Sequence, residues 1–391
     1  MNIKRVEQFE DLLEYQERWD ELAGGCVFRC WTWLSTWWKH YGVDLDSRKL
    51  TVLLVFEDSA ETNSARNEAN FVATTQDYCR TPQALLGILP CYLESTRWQG
   101  NVLHMLGDGE VCSEHLELLC VENDADRVAE SIAQYLASEA SSWDTWNLDV
   151  LDEESTVLGK ALAKLKNRGS HISRQLGPNC WSIQLPATWD EFLAMQSKSH
   201  RKQLRRLDSR VLQSDRASWH LVESETEFDQ AWETLIDLHQ RRRQSLGEPG
   251  CFASRQWAAF HRDVARQLLK SGKLRLSVLE LDGEAIAAEY HFAAADILYV
   301  YQGGLDPDRC EEEPGRLSMI RCVQQAIAEG QQEFDLLRGD EPYKPHWRAI
   351  PRQTVNIQVV SPRIRARWRS LSSSGLRNAG RLLNQFANLL S

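Results

Sequence analysis

Between Lys273 and Leu305 the chain strings together three apolar, β-patterned runs, KLRLSVLELDG, EAIAAEYHFAA and DILYVYQGGL, with almost nothing between them. So little linker forces consecutive strands to reverse direction, because parallel neighbours need a crossover of about a dozen residues or more. The Asp282–Gly283 pair supplies the turn chemistry for a tight hairpin between the first two runs. A helical pattern over 316–330 follows, and then one further strand, EFDLLRG at 333–339. This order sets the fold class of the second half: α/β with mixed (α+β) character, its sheet mostly antiparallel and flanked by helices.

The first half alternates helices and strands in a comparable order, although no sequence repeat is visible. Apolar residues at helical spacing predict helices over 8–23, 26–42, 124–140 and 156–169, the last closed by Gly169. Strands are expected at 50–57, 84–95, 101–107 and 145–151, with a polar loop or insertion over 58–82. In the second half a strand at 180–186 leads to a long charged helix, 188–213, then a strand at 218–224 and helices at 226–245 and 254–271. The last strand is placed at 354–360. A length of 391 residues suits two compact domains, and Gly169, Gly177 and Pro178 punctuate the chain between the halves. The expected organisation is 1–175, 176–360 and a tail, 361–391. That tail carries six Arg and no acid among its leucines, the pattern of a basic amphipathic helix that docks on the protein's own acidic surface or makes a weak membrane or protein contact.

Several classes are disfavoured. Net charge is −11, which argues against a dedicated nucleic-acid binder, so no specific nucleic-acid partner is expected. The N-terminal stretch MNIKRVEQFEDLLEYQERWDEL lacks the apolar core of a secretory signal, and no run approaches the ~18 apolar residues of a spanning helix. Ten scattered cysteines with no CxxC pair read as free thiols in a reducing cytoplasm. Cys112-x-x-His115, with Glu114 and Cys120 nearby, imitates a metal cluster but has no second paired ligand set, so no metal is expected. GxSxG, HExxH and Walker motifs are absent from the sequence.

The chemistry concentrates in two places. The loop Glu311-Glu312-Glu313-Pro314-Gly315-Arg316 opens a helix, where unpaired backbone N–H groups and the positive dipole end favour an anion such as a pyrophosphate. Pro314 and Gly315 set the turn and let a ligand approach the backbone. The three glutamates repel an anion unless they point away, and Arg309 and Arg316 offset them. The second place is EFDLLRGDEPYKPHW, 333–347, where a strand turns into a segment loaded with charges of both signs and two aromatics. A turn to solvent needs only Gly and Asp.

These motifs, taken in order, resemble the GNAT acyltransferase superfamily. More narrowly, they resemble the acetyltransferase-like domain of proteins linked to bacterial cellulose and exopolysaccharide synthesis. SKSHRKQLRRLDSRV (197–211) is similar to that family's basic helix, and LIDLHQRRRQSLGEPGCF (235–252) to its His-x-x-Arg helix. LDGEAIAAEYHF, LYVYQGGLDPD and EEPGRLSMIRCVQQAIAEGQQEFDLLRGDEPYKPHW resemble its hairpin, its central strand, and its Pro-Gly loop, helix and Asp-x-x-x-Gly-x-x-x-Tyr-Lys-x-x-Trp ending. The loop departs from the better-known GNAT phosphate loop, having one Gly and an acidic run. The resemblance implies two GNAT-like domains in tandem and a wedge between the strands flanking helix 316–330. It also implies an acyl-CoA donor, acetyl-CoA or another, held at Pro314, Gly315, Arg316 and Leu317.

Acyl transfer from a thioester needs proximity, a deprotonated acceptor and donors aimed at the forming oxyanion. An alkyl ammonium is neutral only about once in 2,500 at pH 7, so a base matters. Candidate bases are Glu289, Asp335 and His239, and Tyr343 or Tyr301 is placed to protonate the leaving thiolate. Arg241, Tyr301, Arg338, Lys344 and Trp347 are expected to face a polar acceptor such as a sugar or amine. Each has a structural alternative: His239 as a packing residue, Asp335 bonded to backbone or Arg, Glu289 on a solvated strand face, and 338–347 as a turn with internal ion pairs. Two other functions remain open on sequence: a relative of the Fem-type aminoacyltransferases, which use two GNAT halves and a charged tRNA, and a non-catalytic scaffold of a polysaccharide-synthesis complex.

Overall fold

A computed structural model describes residues 1–42, 46–58, 84–153 and 155–370. The expected loop over 58–82 and the tail beyond 370 therefore fall almost wholly outside the described residues. The first-half strands are β1 (Asn2–Val6), β2 (Arg48–Phe56), β3 (Leu85–Thr96), β4 (Gly100–Met105), β5 (Leu119–Cys120) and β6 (Thr145–Asp152). The second half adds β7 (His171–Gln184), β8 (Ala217–Leu221), β9 (Leu274–Leu281), β10 (Glu284–Ala294), β11 (Ile297–Leu305), β12 (Glu333–Arg338) and β13 (Ile350–Val360). All belong to one sheet, in the order β1-β2-β3-β4-β6-β13-β7-β12-β11-β10-β9-β8, with β5 beside β3. The class is the expected α/β with helices on a mixed sheet. The pairings are antiparallel except β4 with β6 and β11 with β12.

The halves are continuous. The last strand, β13, pairs with β6 of the first half and with β7 of the second. β7 starts nine residues before the expected position and runs through Gly177 and Pro178. Proline has no N–H to give a ladder, and the register shifts there, between Gln353 and Val355 of β13. Thr354 Oγ1 fills the gap by donating to Pro178 O.

The helices are α1 (Gln16–Leu22), α2 (Trp31–Tyr41), α3 (Ala125–Ser138), α4 (Thr156–Asn167), α5 (Trp189–Met195), α6 (Lys198–Leu207), α7 (Glu225–Ser245), α8 (Arg255–Lys270), α9 (Pro314–Ala328) and the single turn α10 (Tyr343–His346). The single helix expected over 188–213 is instead α5, α6 and a π turn, Asp208–Leu212. Gln196 leaves helical geometry and Ser197 restarts the chain as an N-cap, its Oγ accepting the His200 N–H.

An aromatic core joins the halves. Trp33 on α2 packs edge-on against Phe260 of α8 and Phe292 of β10, at 5.2 and 5.5 Å between ring centroids. Phe28 meets Tyr299 of β11 at 5.3 Å. Such edge-to-face pairs add roughly 0.5–1.5 kcal/mol each beyond area burial. They place the first half's loops against the open side of the second half's sheet.

Candidate active site

β11 and β12 run parallel but pair only where Ile297–Tyr299 face Glu333–Asp335. Beyond those residues β12 follows β7 through a bulge, with Leu337 at φ +56°, and the two strands part. A cavity of about 640 Å³ opens in the wedge between Val300–Gly303 and Leu336–Arg338. Glu289 and His291 of β10, Met319 of α9 and Tyr343 of α10 also line it. So do Glu110, Cys112 and Glu114 from the first half, and Cys251 and Trp257 before and on α8. A second cavity of about 260 Å³ lies at the start of α9 and shares Leu305, Gly315 and Arg316 with the first. Together they make one track from the helix N-terminus into the wedge.

Glu289 is the carboxylate held in the wedge by β10. Ser318 of α9 donates its hydroxyl to Oε1, and His291 Nε2 stands 3.2 Å from Oε2. Gly303, opposite on β11, makes the room: a Cβ there would come within 2.5 Å of Oε2. Tyr343, 45 % exposed, faces the same cavity, and burial of its hydroxyl among acidic neighbours raises its pKa.

Asp335 sits behind the wedge. Its Oδ2 meets His115 Nε2 at 2.9 Å and Arg352 at 3.3 Å, and its Oδ1 accepts the Leu337 N–H. His115 Nδ1 contacts Asp152 at 2.8 Å. Burial alone would lower the His115 pKa, but the bonds to Asp152 and Asp335 outweigh it and hold the imidazole protonated well above its ordinary range. His239 of α7 places Nδ1 3.0 Å from Gly303 O, and Nε2 3.3 Å from Cys251 Sγ. Burial lowers its pKa. Tyr301 donates to Val111 O of the first half and meets His261 Nε2 at 3.0 Å. Burial drives the Tyr301 pKa up and that of His261 down, so both stay neutral.

The start of α9 is partly engaged from within. The Arg316 and Leu317 N–H groups both donate to Glu313 O, at 2.9 and 3.1 Å. The Glu313 carboxylate is covered by Gln203, Arg206 and Arg316, and Glu312 pairs with Arg216 and Arg309. Two acids of the run are thus neutralised by neighbouring arginines. Gly315 remains on the wall of both cavities, while Leu317 is fully buried.

The charges of 333–347 have internal partners. Lys344 is 1 % exposed, and its ammonium donates to the carbonyls of Leu337, Arg338 and Gly339 at 3.1, 3.0 and 2.9 Å, clamping the turn after β12. Arg338 pairs with Glu114 and donates to Ser113 O. Asp340 accepts from Asn179 and Trp181. Trp347 packs against Phe192 and His200. Arg241 binds Asp306 and Asp308 and lines neither cavity, whereas Arg242 and Arg243 do. The fold brings together Glu289, Tyr301, Arg338, Tyr343, Lys344 and Trp347 with Gly315 and Arg316, and sets Asp335 and Arg241 aside.

Sequence reasoning missed the first-half wall, 110–115, and Cys251. Among the described residues no group of three or more His, Cys, Asp or Glu converges as a metal site. The signal for the wall was present in GEVCSEH, whose Glu114 and His115 are the partners that Arg338 and Asp335 need once buried.

Residues 198–345 match the family model of the acetyltransferase (GNAT) domain. In fold, the chain is similar to the crystal structure of FemX at 9 % identity and a TM-score of 0.60, covering 91 % of this chain and 97 % of that one. It is also similar to a conserved protein of unknown function from Bacteroides thetaiotaomicron, at 8 % identity and a TM-score of 0.51, covering 92 % and 100 %. No curated protein matches the sequence. The likeness to these two structures extends over both halves and is one of fold, while the GNAT acetyltransferase domain match lies in the second half.

Proposed function

We propose that the chain moves an acyl group, acetyl in the simplest case, from a coenzyme A thioester to an amine or hydroxyl of a polar acceptor. The observation that carries this reading is the parting of β11 and β12 over a cavity that continues to the N-terminus of α9. The coenzyme's diphosphate lies at Gly315 and Arg316, and its pantetheine arm follows the shared wall into the wedge. Opened strand edges there offer backbone groups to the amides of that arm. The acceptor enters from the side walled by Glu110, Cys112 and Glu114.

In the wedge Glu289 takes the acceptor's proton, held in place by Ser318, and Tyr343 returns one to the departing thiolate. Proximity and a positioned base are the two contributions this geometry supplies. An acceptor from exopolysaccharide assembly is carried by the sequence resemblance alone, and a cytoplasmic location by the scattered cysteines and the N-terminal stretch.

Calorimetric titration with acetyl-CoA and coenzyme A tests the donor. One site per chain and a raised melting temperature are expected. No heat, with unchanged melting at saturating ligand, overturns the reading in favour of the scaffold. The full-length likeness in fold to FemX favours a second reading, an aminoacyl-tRNA donor in the same wedge. Binding of aminoacyl-tRNA in place of acetyl-CoA selects it.

A further inference from the structure

We infer that Cys251, paired with His239, is a second reactive centre in the cavity wall, a thiol that takes the acyl group from the donor as a protein-bound thioester. The inference rests on the thioester-donor reading above and extends it to a two-step transfer.

Cys251 is not an isolated thiol. His239 is 2 % exposed, and its Nδ1 donates to Gly303 O at 3.0 Å. A carbonyl only accepts, so this bond fixes the proton on Nδ1 and makes Nε2 the acceptor. That lone pair faces the Cys251 N–H at 3.4 Å and Sγ at 3.3 Å. The thiol therefore has a neutral imidazole as its proton acceptor, the arrangement that activates a nucleophile. Gln302 completes the setting: its Nε2 donates to Sγ at 3.4 Å, and its Oε1 accepts the Gly303 N–H at 3.2 Å.

The backbone holds this geometry. Gly250 has φ +73° and ψ 156°, a region open essentially to glycine alone. A Cβ at Gly250 would meet Gln240 Oε1 at 2.1 Å, and Gln240 also donates to Pro249 O. The segment before Cys251 is thus pinned to α7, on which His239 and Gln240 are consecutive residues.

The pair also stands where a thioester would lie. Gly303 contacts His239 through its carbonyl and borders Glu289 on its other side, so the two reactive groups flank one residue of β11. Cys251 and Glu289 line the same cavity.

The exchange balances. His239 Nε2 takes the Sγ proton as Sγ attacks the thioester carbonyl. The Sγ–acyl bond forms, the bond to the coenzyme's sulfur breaks, and that thiolate takes the proton from His239, which in this two-step route replaces Tyr343 as its proton donor. The products are acyl-Cys251 and free coenzyme thiol. The acceptor, its proton passing to Glu289, then attacks the protein thioester; the acyl–Sγ bond breaks, and the proton held by Glu289 returns through solvent to the Cys251 thiolate. Burial pushes the Cys251 thiol up to about 12, so it rests protonated and reacts only as His239 draws the proton away.

The full chain is mixed separately with acetyl-CoA and with the acetyl thioester of N-acetylcysteamine, which lacks the phosphates, then acid-quenched and read by intact mass and peptide mapping. One acetyl increment on Cys251, released by neutral hydroxylamine and absent in Cys251→Ser, is expected. His239→Gln slows its formation by about a hundredfold, the low end for a general base. Should His239→Gln fail to fold, the wild-type pH dependence of acylation serves, rising through the imidazole's depressed pKa and flat above it. Acylation by the short thioester without heat from acetyl-CoA overturns the coenzyme assignment and leaves Cys251 standing. Measured acetyl-CoA binding with Cys251 unmodified by either donor, or an increment mapping to Cys112 or Cys310, overturns the inference.

Discussion

His115 Nε2 and Asp335 Oδ2 stand 2.9 Å apart, a contact between a loop of the first half and a strand that edges the wedge in the second. Asp152 and Arg352 close the group. Asp335 is 1 % exposed, so its charge depends on these partners.

His115 sets a pH dependence of stability. A group whose folded pKa lies above its unfolded value stabilises fully below the unfolded value, about 6.5 for His, and loses that contribution as pH rises through the folded value. His115 is of this kind. Asp152, which burial pushes up but the bond and charge of His115 together with Arg352 and Arg29 lower on balance, contributes above about 3.9 and fades as pH falls through its folded value. The share of the urea midpoint owed to this group, read as wild type minus His115→Gln, is therefore expected to be flat between about pH 4 and 6.5 and to decline on the alkaline side. His115→Gln removes the cation between two carboxylates and leaves them sharing Arg352, a cost of about 1.5–3 kcal/mol near pH 6, and the alkaline decline disappears with it. An unchanged alkaline limb in the variant rules the linkage out.

Arg338 and Glu114 form another cross-half pair, with Glu114 1 % exposed. Arg338→Met leaves that carboxylate buried without its cation, a loss of about 3–5 kcal/mol. Adding Glu114→Gln removes the stranded charge, so the double variant is more stable than Arg338→Met alone. Hydrogen exchange read at 110–115 reports whether the first-half wall loosens with the single change and recovers in the double.

Glu289→Gln retains the size of the side chain and its bond from Ser318 while removing the base. Turnover falls by about 10²–10⁴, with the melting temperature unchanged. Ser318→Ala, which frees the carboxylate to wander, lowers turnover by about tenfold. Equal activity of Glu289→Gln and wild type in a coupled thiol-release assay removes Glu289 from the chemistry.

Much of this architecture is written locally. Period-2 patterning and the Asp282–Gly283 turn mark β9–β11, and Pro314 marks the first turn of α9. What the sequence hides is long-range pairing. Lys344 reads as a cation for the acceptor or for a local Glu; its pair with Glu341 is legible, but the three backbone carbonyls it clamps are announced by no residue type. Asp335 reads as a cleft acid because His115 lies 220 positions away. β7 begins early because β13 returns to cover it, a pairing that no local pattern specifies, and Gly177 and Pro178 mark a bulge there rather than a break.

Gly303 and Gly304 separate function from folding on one strand. A Cβ at Gly303 would meet Glu289 Oε2 at 2.5 Å, the mobile end of a side chain, which can swing aside. Gly303→Ala therefore keeps its fold but displaces the carboxylate, and turnover drops while melting holds within a few degrees, the shift that about 0.5 kcal/mol produces. At Gly304 the same atom would meet His239 N at 2.6 Å and Leu235 O at 3.0 Å. Those are backbone atoms of α7, so the whole helix must back away from β11. Gly304→Ala costs about 1–3 kcal/mol, and it carries His239 off Cys251 as well. Melting curves and turnover measured side by side distinguish the two. Equal destabilisation by both variants would mean that Glu289 is as rigidly fixed as the backbone, and the reading of Gly303 as a functional rather than a folding position would have to be abandoned.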